Sequence, residues 1–356
     1  LQAWLEARGL AVQRLGPSAD KPNLVVDLEG SGPGRHLVFN GHLDTIQAGD
    51  ETRWTVPVHE LARQANGRLT GLGIGNMKGG TAALALATSC LAEWAGRLSY
   101  TAVGDEVTFG PDGAAWLLDA RPDLAGDALI CAEGPGHMTL AIAEKGLLWV
   151  EITAVSPPAQ GMTTTRGQNA TARLAAVVAE IDGWNDIQTT PPEEIAVLVD
   201  HAGAHGLRLS ANCGTLRADG FVSQVATKAV AEMDLRVPPG LTIEEIEGRI
   251  EALAARHEGV SWRRIKGWNP SWTPAGAEIC ATVAEAYETL RHEPAKPVVR
   301  LPASDAARWR SRGVPALCFG PQPTLAAGID DYVIEKDLVD CAKIYVAAGL
   351  RYLRPV

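Results

Sequence analysis

The sequence has few cysteines, and none of them lies close to another cysteine or to a histidine along the chain. Its six cysteines are scattered singly, with no CxxC pair and no Cys/His cluster. This spacing excludes a zinc ribbon or a CxxC redox motif built from sequence neighbours. Scattered single cysteines are typical of reduced thiols in a cytoplasmic protein, and we therefore expect a cytoplasmic location.

An excess of positive charge and long apolar runs are also missing. The net charge is −10 and the isoelectric point is near 5.3, which argues against nucleic-acid binding and against a basic membrane-surface protein. The longest apolar stretch, residues 81–94, is too short and too often interrupted by polar residues to span a bilayer. The start of the sequence lacks the charged and then apolar pattern of a signal segment, so we expect none. We expect neither a nucleic-acid nor a membrane partner.

The chain contains enough apolar residues to form a large core. It has 356 residues, of which 46% are hydrophobic and 21% are charged. That balance is typical of a globular protein with two domains or one large one. Residues 1–9 have helical apolar spacing and do not begin with methionine, so we expect further residues before Leu1.

Strand-like and helix-like segments alternate at both ends of the chain. Apolar runs at 23–28, 36–40, 100–103 and 128–132 predict strands, and residues 79–94, 113–118, 274–291 and 335–353 predict helices. This alternation is typical of an α/β fold with a mostly parallel mixed sheet flanked by helices. Functional residues in such folds lie just beyond the carboxyl ends of strands, and His42, Glu106 and Glu133 follow predicted strands.

The middle of the chain has a different pattern. Strands are predicted at 147–154, 207–216 and 229–237, and helices at 169–184 and 242–257. Thr242 and Glu245 form a capping box at the start of the second helix. We therefore predict an inserted α+β domain at 148–268, and an α/β domain that is assembled from residues 1–147 and 269–356.

Short polar or glycine-rich segments recur in a characteristic order. They read NGHLDT at 40–45, GLGIGNMKGG at 71–80, GDEVTFG at 104–110 and CAEG at 131–134, with later segments at 167–170, 234–240, 304–307 and 319–321. Over nearly the whole chain this order resembles the co-catalytic zinc hydrolases, the family of aminoacylase, acetylornithine deacetylase, succinyl-diaminopimelate desuccinylase and glutamate carboxypeptidase. The resemblance implies that the inserted domain acts as a lid and dimerisation domain, so we expect a homodimer.

The same resemblance implies a site with two zinc ions that share a bridging carboxylate and a water molecule. His42 matches the first ligand, and Asp44 matches the residue that orients it. Glu106 matches the catalytic base, and Glu133 matches a carboxylate ligand.

Three of the five ligand positions hold other residues. Asn76 stands at the bridging aspartate, Val107 at a ligand glutamate and Ala327 at the last histidine. The replacements at Asn76 and Val107 remove carboxylates that would repel one another without metal. We expect no metal and no cofactor, with zinc as the lesser possibility if His137 or Asp105 serves as a substitute ligand.

Other positions imply a substrate that carries a carboxylate. Arg236 matches an arginine that binds this group through a two-pronged interaction, for which a guanidinium is well suited. Gln160 falls where the family has a histidine that stabilises the oxyanion, and glutamine keeps only the hydrogen bond. Asn76 and Glu133 complete the expected substrate contacts. The predicted partner is a small carboxylate-bearing molecule.

These residues support three hypotheses about function. In the first, an enzyme uses Glu106 as base, His42 as proton shuttle and Asp44 to fix the tautomer of His42. Its reaction is C–N bond hydrolysis or a related proton transfer, cyclisation or elimination on an amino-acid-like molecule. In the second, the protein is a pseudoenzyme that binds a ligand or serves as an oligomer partner. In the third, it is a metal-dependent N-acyl amino acid hydrolase with substitute ligands.

Overall fold

The structure is a computed structural model that describes residues 1–323 and 328–354. The chain divides into two compact units. The first comprises Leu1–Ile142, Trp272–Val298 and Ser304–Val356, and the second comprises Ala143–Ser271 and Val299–Ala303. Within the described ranges, no helix is long and apolar enough to cross a membrane.

The regular elements follow one another in a mixed order. The helices are α1 (Gln2–Glu6), α2 (Gly79–Leu91), α3 (Ala114–Ala120), α4 (Ala170–Asp182), α5 (Gly203–Gly206), α6 (Ile243–Ala254), α7 (Glu278–Arg291), α8 (Ala306–Arg310) and α9 (Glu335–Tyr352). The strands are β1 (Val12–Leu15), β2 (Asn23–Glu29), β3 (His36–His42), β4 (Ala62–Arg63), β5 (Arg68–Thr70), β6 (Arg97–Val103), β7 (Ala128–Cys131), β8 (Leu140–Glu144), β9 (Gly146–Val155), β10 (Ser210–Ala218), β11 (Lys228–Val237), β12 (Val260–Trp268), β13 (Ser271–Trp272), β14 (Pro297–Arg300), β15 (Ala316–Cys318) and β16 (Tyr332–Ile334).

The first unit is built on a mixed sheet with the strand order β1-β2-β6-β3-β7-β15-β8. Its centre is parallel, because β3 pairs with β6 on one side and with β7 on the other in the same direction. Every residue of β7 is buried, and β3 is buried after its first residue, as is typical of strands covered on both faces. Helix α2 packs against α9 and β3. The predicted α/β class is confirmed.

The second unit contains an antiparallel sheet with the order β10-β11-β9-β12. Alternate residues of β9 point into a core that α4 and α6 cover, and these residues are Leu148, Val150, Ile152 and Ala154. The opposite face of the same strand is only partly buried. This alternation is typical of an antiparallel sheet with one face on a core.

Sequence patterns missed several elements of both units. Strand β12 lies at a sheet edge and consists mostly of exposed or half-buried residues, so it lacks a clear apolar signal. Strand β8 is a short, fully buried run that periodicity alone cannot assign. Helix α7 begins at Glu278 rather than at residue 274, and α2 ends at Leu91 rather than at residue 94.

The capping box of α6 is present and can be tested. Thr242 Oγ1 accepts a hydrogen bond from the Glu245 backbone N–H at 3.2 Å, and Glu245 Oε2 accepts one from the Thr242 backbone N–H at 2.7 Å. We expect Thr242→Ala to lower the free energy of unfolding by about 1 kcal/mol, measured by urea denaturation. Thr242→Ser should retain most of the stability. Equal losses in both variants would contradict a role for the hydroxyl group.

Candidate active site

Three functional side chains meet where the parallel strands of the first unit end. His42 is the last residue of β3 and pairs with Val103 at the end of β6, three residues before Glu106. On the other side, Asn40 of β3 pairs with Cys131 of β7, two residues before Glu133. Because β6, β3 and β7 are adjacent and parallel, their carboxyl ends place these three residues together.

The three residues form a compact buried group. A ring nitrogen of His42 and one carboxylate oxygen each from Glu106 and Glu133 all lie within 4.8 Å of one another. The three residues are 0%, 7% and 2% exposed, respectively. Helix α2 begins directly against this strand end. A Cβ atom added to Gly80 would lie 2.5 Å from the Ala132 carbonyl oxygen, so only glycine permits this approach.

Both ring nitrogens of His42 face oxygen atoms. Nδ1 lies 2.9 Å from the Asp44 main-chain oxygen and 3.5 Å from its carboxylate. Nε2 lies 3.0 Å from Asn76 Oδ1 and 3.6 Å from Glu106 Oε2. Burial alone would lower the pKa of His42, but the hydrogen bond to Asp44 and the charges of Glu106 and Glu133 outweigh burial and raise this pKa to about 10. The ring is therefore positively charged at neutral pH.

Asp44 is positioned by the backbone that follows β6. Its Oδ2 accepts a hydrogen bond from the Val107 backbone N–H at 2.9 Å. Burial would raise the pKa of the Asp44 carboxyl, but His42 and the backbone donors of Val107 and Glu106 hold it below its ordinary value. Asp44 thus contacts the histidine, as expected, but the shortest contact uses its main chain rather than its carboxylate.

Asn76 is held on a turn that precedes α2. The buried Asp331 accepts a hydrogen bond from the Gly75 backbone N–H at 3.0 Å, and the Asn76 backbone N–H also acts on this carboxylate. Asn76 is half-buried. Because its Oδ1 faces His42, the Nδ2 amide group points away from the ring. Nδ2 has no hydrogen-bond partner among the residues with described coordinates, so it is available to a substrate.

Asp305 is a further member of the site that the sequence patterns did not identify. It is 6% exposed and precedes the short helix α8. Burial, together with the charge of Glu133, raises the pKa of Asp305 to about 7 against the opposing effect of His42. The SDAA segment at 304–307 is one of the segments that carry the resemblance, but no predicted strand ends there to indicate a functional residue.

The residues present do not fit a centre with two metal ions. A neutral amide at Asn76 and an aliphatic side chain at Val107 stand where the resemblance leads one to expect two ligands, and neither can bridge or neutralise two divalent cations. Ala327 lies outside the described residues. Of the proposed substitutes, His137 is exposed, and the Asp105 carboxylate lies 3.2 Å from Lys21 Nζ. A single ion would have His42, Glu106 and Glu133 as its donors.

The two remaining predicted site residues lie in the second unit. Arg236 is on β11, where its guanidinium makes two hydrogen bonds to the Asp234 carboxylate at 2.8 and 3.1 Å. Gln160 is exposed and pairs with Gln224 through an isolated bridge between their backbones. The structure therefore brings together His42, Asp44, Asn76, Glu106 and Glu133 in one unit, and places Arg236 and Gln160 in the other.

A model of peptidase family M20/M25/M40 matches residues 38–351. The chain belongs to this family. Succinyl-diaminopimelate desuccinylase of Rhodospirillum centenum is 28% identical over 366 residues, covering 97% of this chain and 89% of that protein. The enzyme of the same description from Novosphingobium aromaticivorans is 27% identical over 302 residues, covering 81% of this chain and 75% of its own length. Membership in M20/M25/M40 supports a hydrolase of the amidohydrolase or peptidase type.

Several solved structures have a fold similar to that of this chain. A metallo-carboxypeptidase of Sulfolobus solfataricus has a TM-score of 0.76 at 14% identity, covering 98% of this chain and 92% of that one. Human carnosine dipeptidase 1 has a TM-score of 0.76 at 12% identity, covering 98% and 88%. A Bacillus subtilis protein described as a dinuclear metal binding peptidase has a TM-score of 0.67 at 12% identity, covering 99% and 90%. At these identities the likeness shows the fold.

The charge of His42 leads to a testable dependence of stability on pH. Since folding raises the pKa of this group from 6.5 to about 10, the protonated ring stabilises the fold. Its contribution is fully present below pH 6.5 and is lost as pH rises towards 10. We expect the free energy of unfolding of metal-free protein to fall over this interval more steeply than that of His42→Gln. His59→Gln, which changes an exposed histidine, should keep the wild-type slope. Equal slopes for His42→Gln and wild type would contradict a charged ring.

Proposed function

We propose that this chain hydrolyses an amide bond in a small, carboxylate-bearing, amino-acid-like molecule, and that it does so without the two metal ions of its family. Glu106, His42 and Asn76, all in the first unit, carry the chemistry. The observation that supports the metal-free chemistry most directly is that both ring nitrogens of His42 lie within 3.0 Å of an oxygen acceptor.

That arrangement matches a doubly protonated ring. A neutral imidazole has one N–H and can donate to only one of two oxygen atoms, whereas the imidazolium donates to both. A metal ligand must instead present a nitrogen lone pair. His42 Nε2 points to the oxygen atoms of Asn76 and Glu106, which favours its use as a donor.

The proposed reaction follows general base chemistry. Glu106 removes a proton from water, and the water oxygen attacks the amide carbon. Asn76 Nδ2 donates a hydrogen bond to the oxygen atom that becomes negatively charged, while the nearby His42 cation stabilises that charge. Glu106 then transfers the proton to the leaving nitrogen as the C–N bond breaks. Asp44 acts as a positioning residue that keeps His42 in place.

A second candidate is hydrolysis with one bound ion. The donor atoms of His42, Glu106 and Glu133, all within 4.8 Å, favour this alternative, since they supply the three protein ligands of an open site. When bound, such an ion polarises a carbonyl group and activates water. Glu106 would then be a ligand rather than a free base, so the two candidates assign different roles to the same carboxylate.

The first test measures the metal content and the activity of the protein, and the activity of a variant of the proposed base. Full-length protein treated with chelator should hydrolyse at least one member of a panel of N-acyl amino acids and dipeptides, with no metal detected by elemental analysis. Glu106→Gln keeps the size of the side chain and should lower kcat by at least about 100-fold, as expected for loss of a general base. Glu51→Gln, at an exposed glutamate, is the matched control. Activity that appears only with one equivalent of zinc would favour the single-ion candidate.

The second test replaces the amide of Asn76 with the carboxylate that the resemblance implies for this position in the family. In the metal-free mechanism, Asn76→Asp removes an N–H donor and adds a negative charge beside the developing oxyanion. We expect kcat to fall by about 100-fold or more, with little change in KM. Zinc addition should not restore the activity. A variant that gains zinc affinity and activity together would instead support the metal-dependent candidate.

A further inference from the structure

The loop that carries Glu106 is folded back on itself by its own backbone. It comprises residues 104–113, between β6 and α3, and is here called the base loop. The Phe109 backbone N–H donates to the Glu106 carbonyl oxygen at 2.6 Å. The Gly110 backbone N–H donates to the Asp105 carbonyl oxygen at 2.8 Å. These bonds form a tight turn directly after Glu106.

The Asp105 carboxylate lies inside this turn. Its side chain is only 7% exposed. Oδ2 accepts a hydrogen bond from the Asp112 backbone N–H at 3.0 Å, and Oδ1 accepts one from Thr108 Oγ1 at 2.9 Å. A Cβ atom added to Gly110 would overlap the same carboxylate, so the loop packs directly against it. One carboxylate thus ties the middle and the end of the base loop to the residue that precedes Glu106.

The backbone bends sharply at Asp105, where it leads into Glu106. The φ angle of Asp105 is 60°, in the left-handed region that residues other than glycine adopt only at a cost. Such a conformation persists where the surrounding contacts enforce it. The hydrogen bonds of the Asp105 side chain are contacts of this kind, so they help to set the direction in which the chain continues to Glu106.

Two residues at and just before the start of β2 attach the base loop to the sheet. The buried Asn23 accepts a hydrogen bond from the Gly104 backbone N–H at 3.0 Å and donates one to the Asp112 carbonyl oxygen at 3.1 Å. Its amide thus joins the two ends of the loop. Lys21 Nζ lies 3.2 Å from Asp105 Oδ1 and 3.0 Å from Asp112 Oδ2. Because the Lys21 side chain is half exposed, we expect it to contribute less than the buried contacts.

We propose that the Glu106 base is held in the site by three positioning residues, which are Asp105, Asn23 and Lys21. They act through the base loop and do not themselves contact the substrate. The inference deepens the proposed function and rests on it, since it concerns the residue that removes the proton from water.

Two contacts of the site depend on where the base loop lies. Glu106 Oε2 is 3.6 Å from His42 Nε2, and the Val107 backbone N–H donates to Asp44 Oδ2 at 2.9 Å. A displaced loop would change both contacts at once. A misplacement of about 1 Å in an active site can lower the rate about 100-fold. We therefore expect the loss of a loop contact to lower kcat.

Kinetics of Asp105→Asn test the central contact. The variant keeps the shape of the side chain, but its NH2 group faces a donor where Asp105 has an acceptor. We expect kcat to fall at least about tenfold, with KM changed by less than about twofold, because the residue does not bind substrate. Asp123→Asn is the matched control. Asp123 also accepts from an arginine, but at the other end of β6, where Arg97 Nη2 lies 2.7 Å away. It should keep the wild-type kcat.

Two further variants change the base loop in other ways. Gly110→Ala keeps every polar group of the loop but displaces the Asp105 carboxylate, so it should repeat the loss of kcat even if Asp105→Asn folds poorly. Lys21→Met should lower kcat only about threefold, as expected for an exposed ion pair. Lys21→Arg should restore most of that loss. Equal losses in Lys21→Met and Lys21→Arg would contradict a role for the positive charge.

Hydrogen exchange distinguishes a failure of this inference from a failure of the proposed function. Mass spectrometry of the full chain should show the base-loop amides exchanging at least about tenfold faster in Asp105→Asn and Asn23→Ala than in wild type, with β11 unchanged. Unchanged exchange in the base loop, or faster exchange at an unchanged kcat, would overturn the positioning role and leave the proposed base intact. If Glu106→Gln keeps the wild-type kcat, the proposed function itself is wrong and this inference fails with it.

Discussion

The site in the first unit depends on the buried positive charge of His42. His42 lies among Asp44, Glu106 and Glu133 and is the cation that these carboxylates share. Without it, three carboxylates would face one another in a closed space and at least one would have to take up a proton. In members of this family with two metal ions, the ions can supply that positive charge. Here the imidazolium provides it, and Asn76 contributes an amide that adds no charge of its own.

The same balance of positive and negative charges affects the protonation of Asp305. Its carboxyl has a pKa near 7, so it remains partly protonated at neutral pH beside Glu133. A partly protonated carboxyl can donate a hydrogen bond where a carboxylate would repel. Burial and the charge of Glu133 thus favour a proton on Asp305, whereas the charges of His42 and Arg308 favour its ionised form.

The sequence predicts those site residues that directly follow a strand. His42, Glu106 and Glu133 each follow an apolar run, and the parallel order β6-β3-β7 confirms the α/β class that such runs predict. Asp305 follows no strand, and only its electrostatic interaction with His42 and Glu133, which are far away in the sequence, relates it to the site. The sequence does not predict the hydrogen bond between Arg236 and Asp234 either, because two residues that are two positions apart in a strand give no periodic signal for a mutual contact. The homodimer and the cytoplasmic location remain predictions.

The contact between Asp44 and residue 107 has a consequence for the side chains that this part of the site tolerates. The Asp44 carboxylate is held by the backbone N–H of Val107, not by its side chain. Any residue other than proline supplies the same donor at that position. The support of His42 is therefore independent of the side chain at 107, so that position can accept a different side chain while the acid–base residues stay in place.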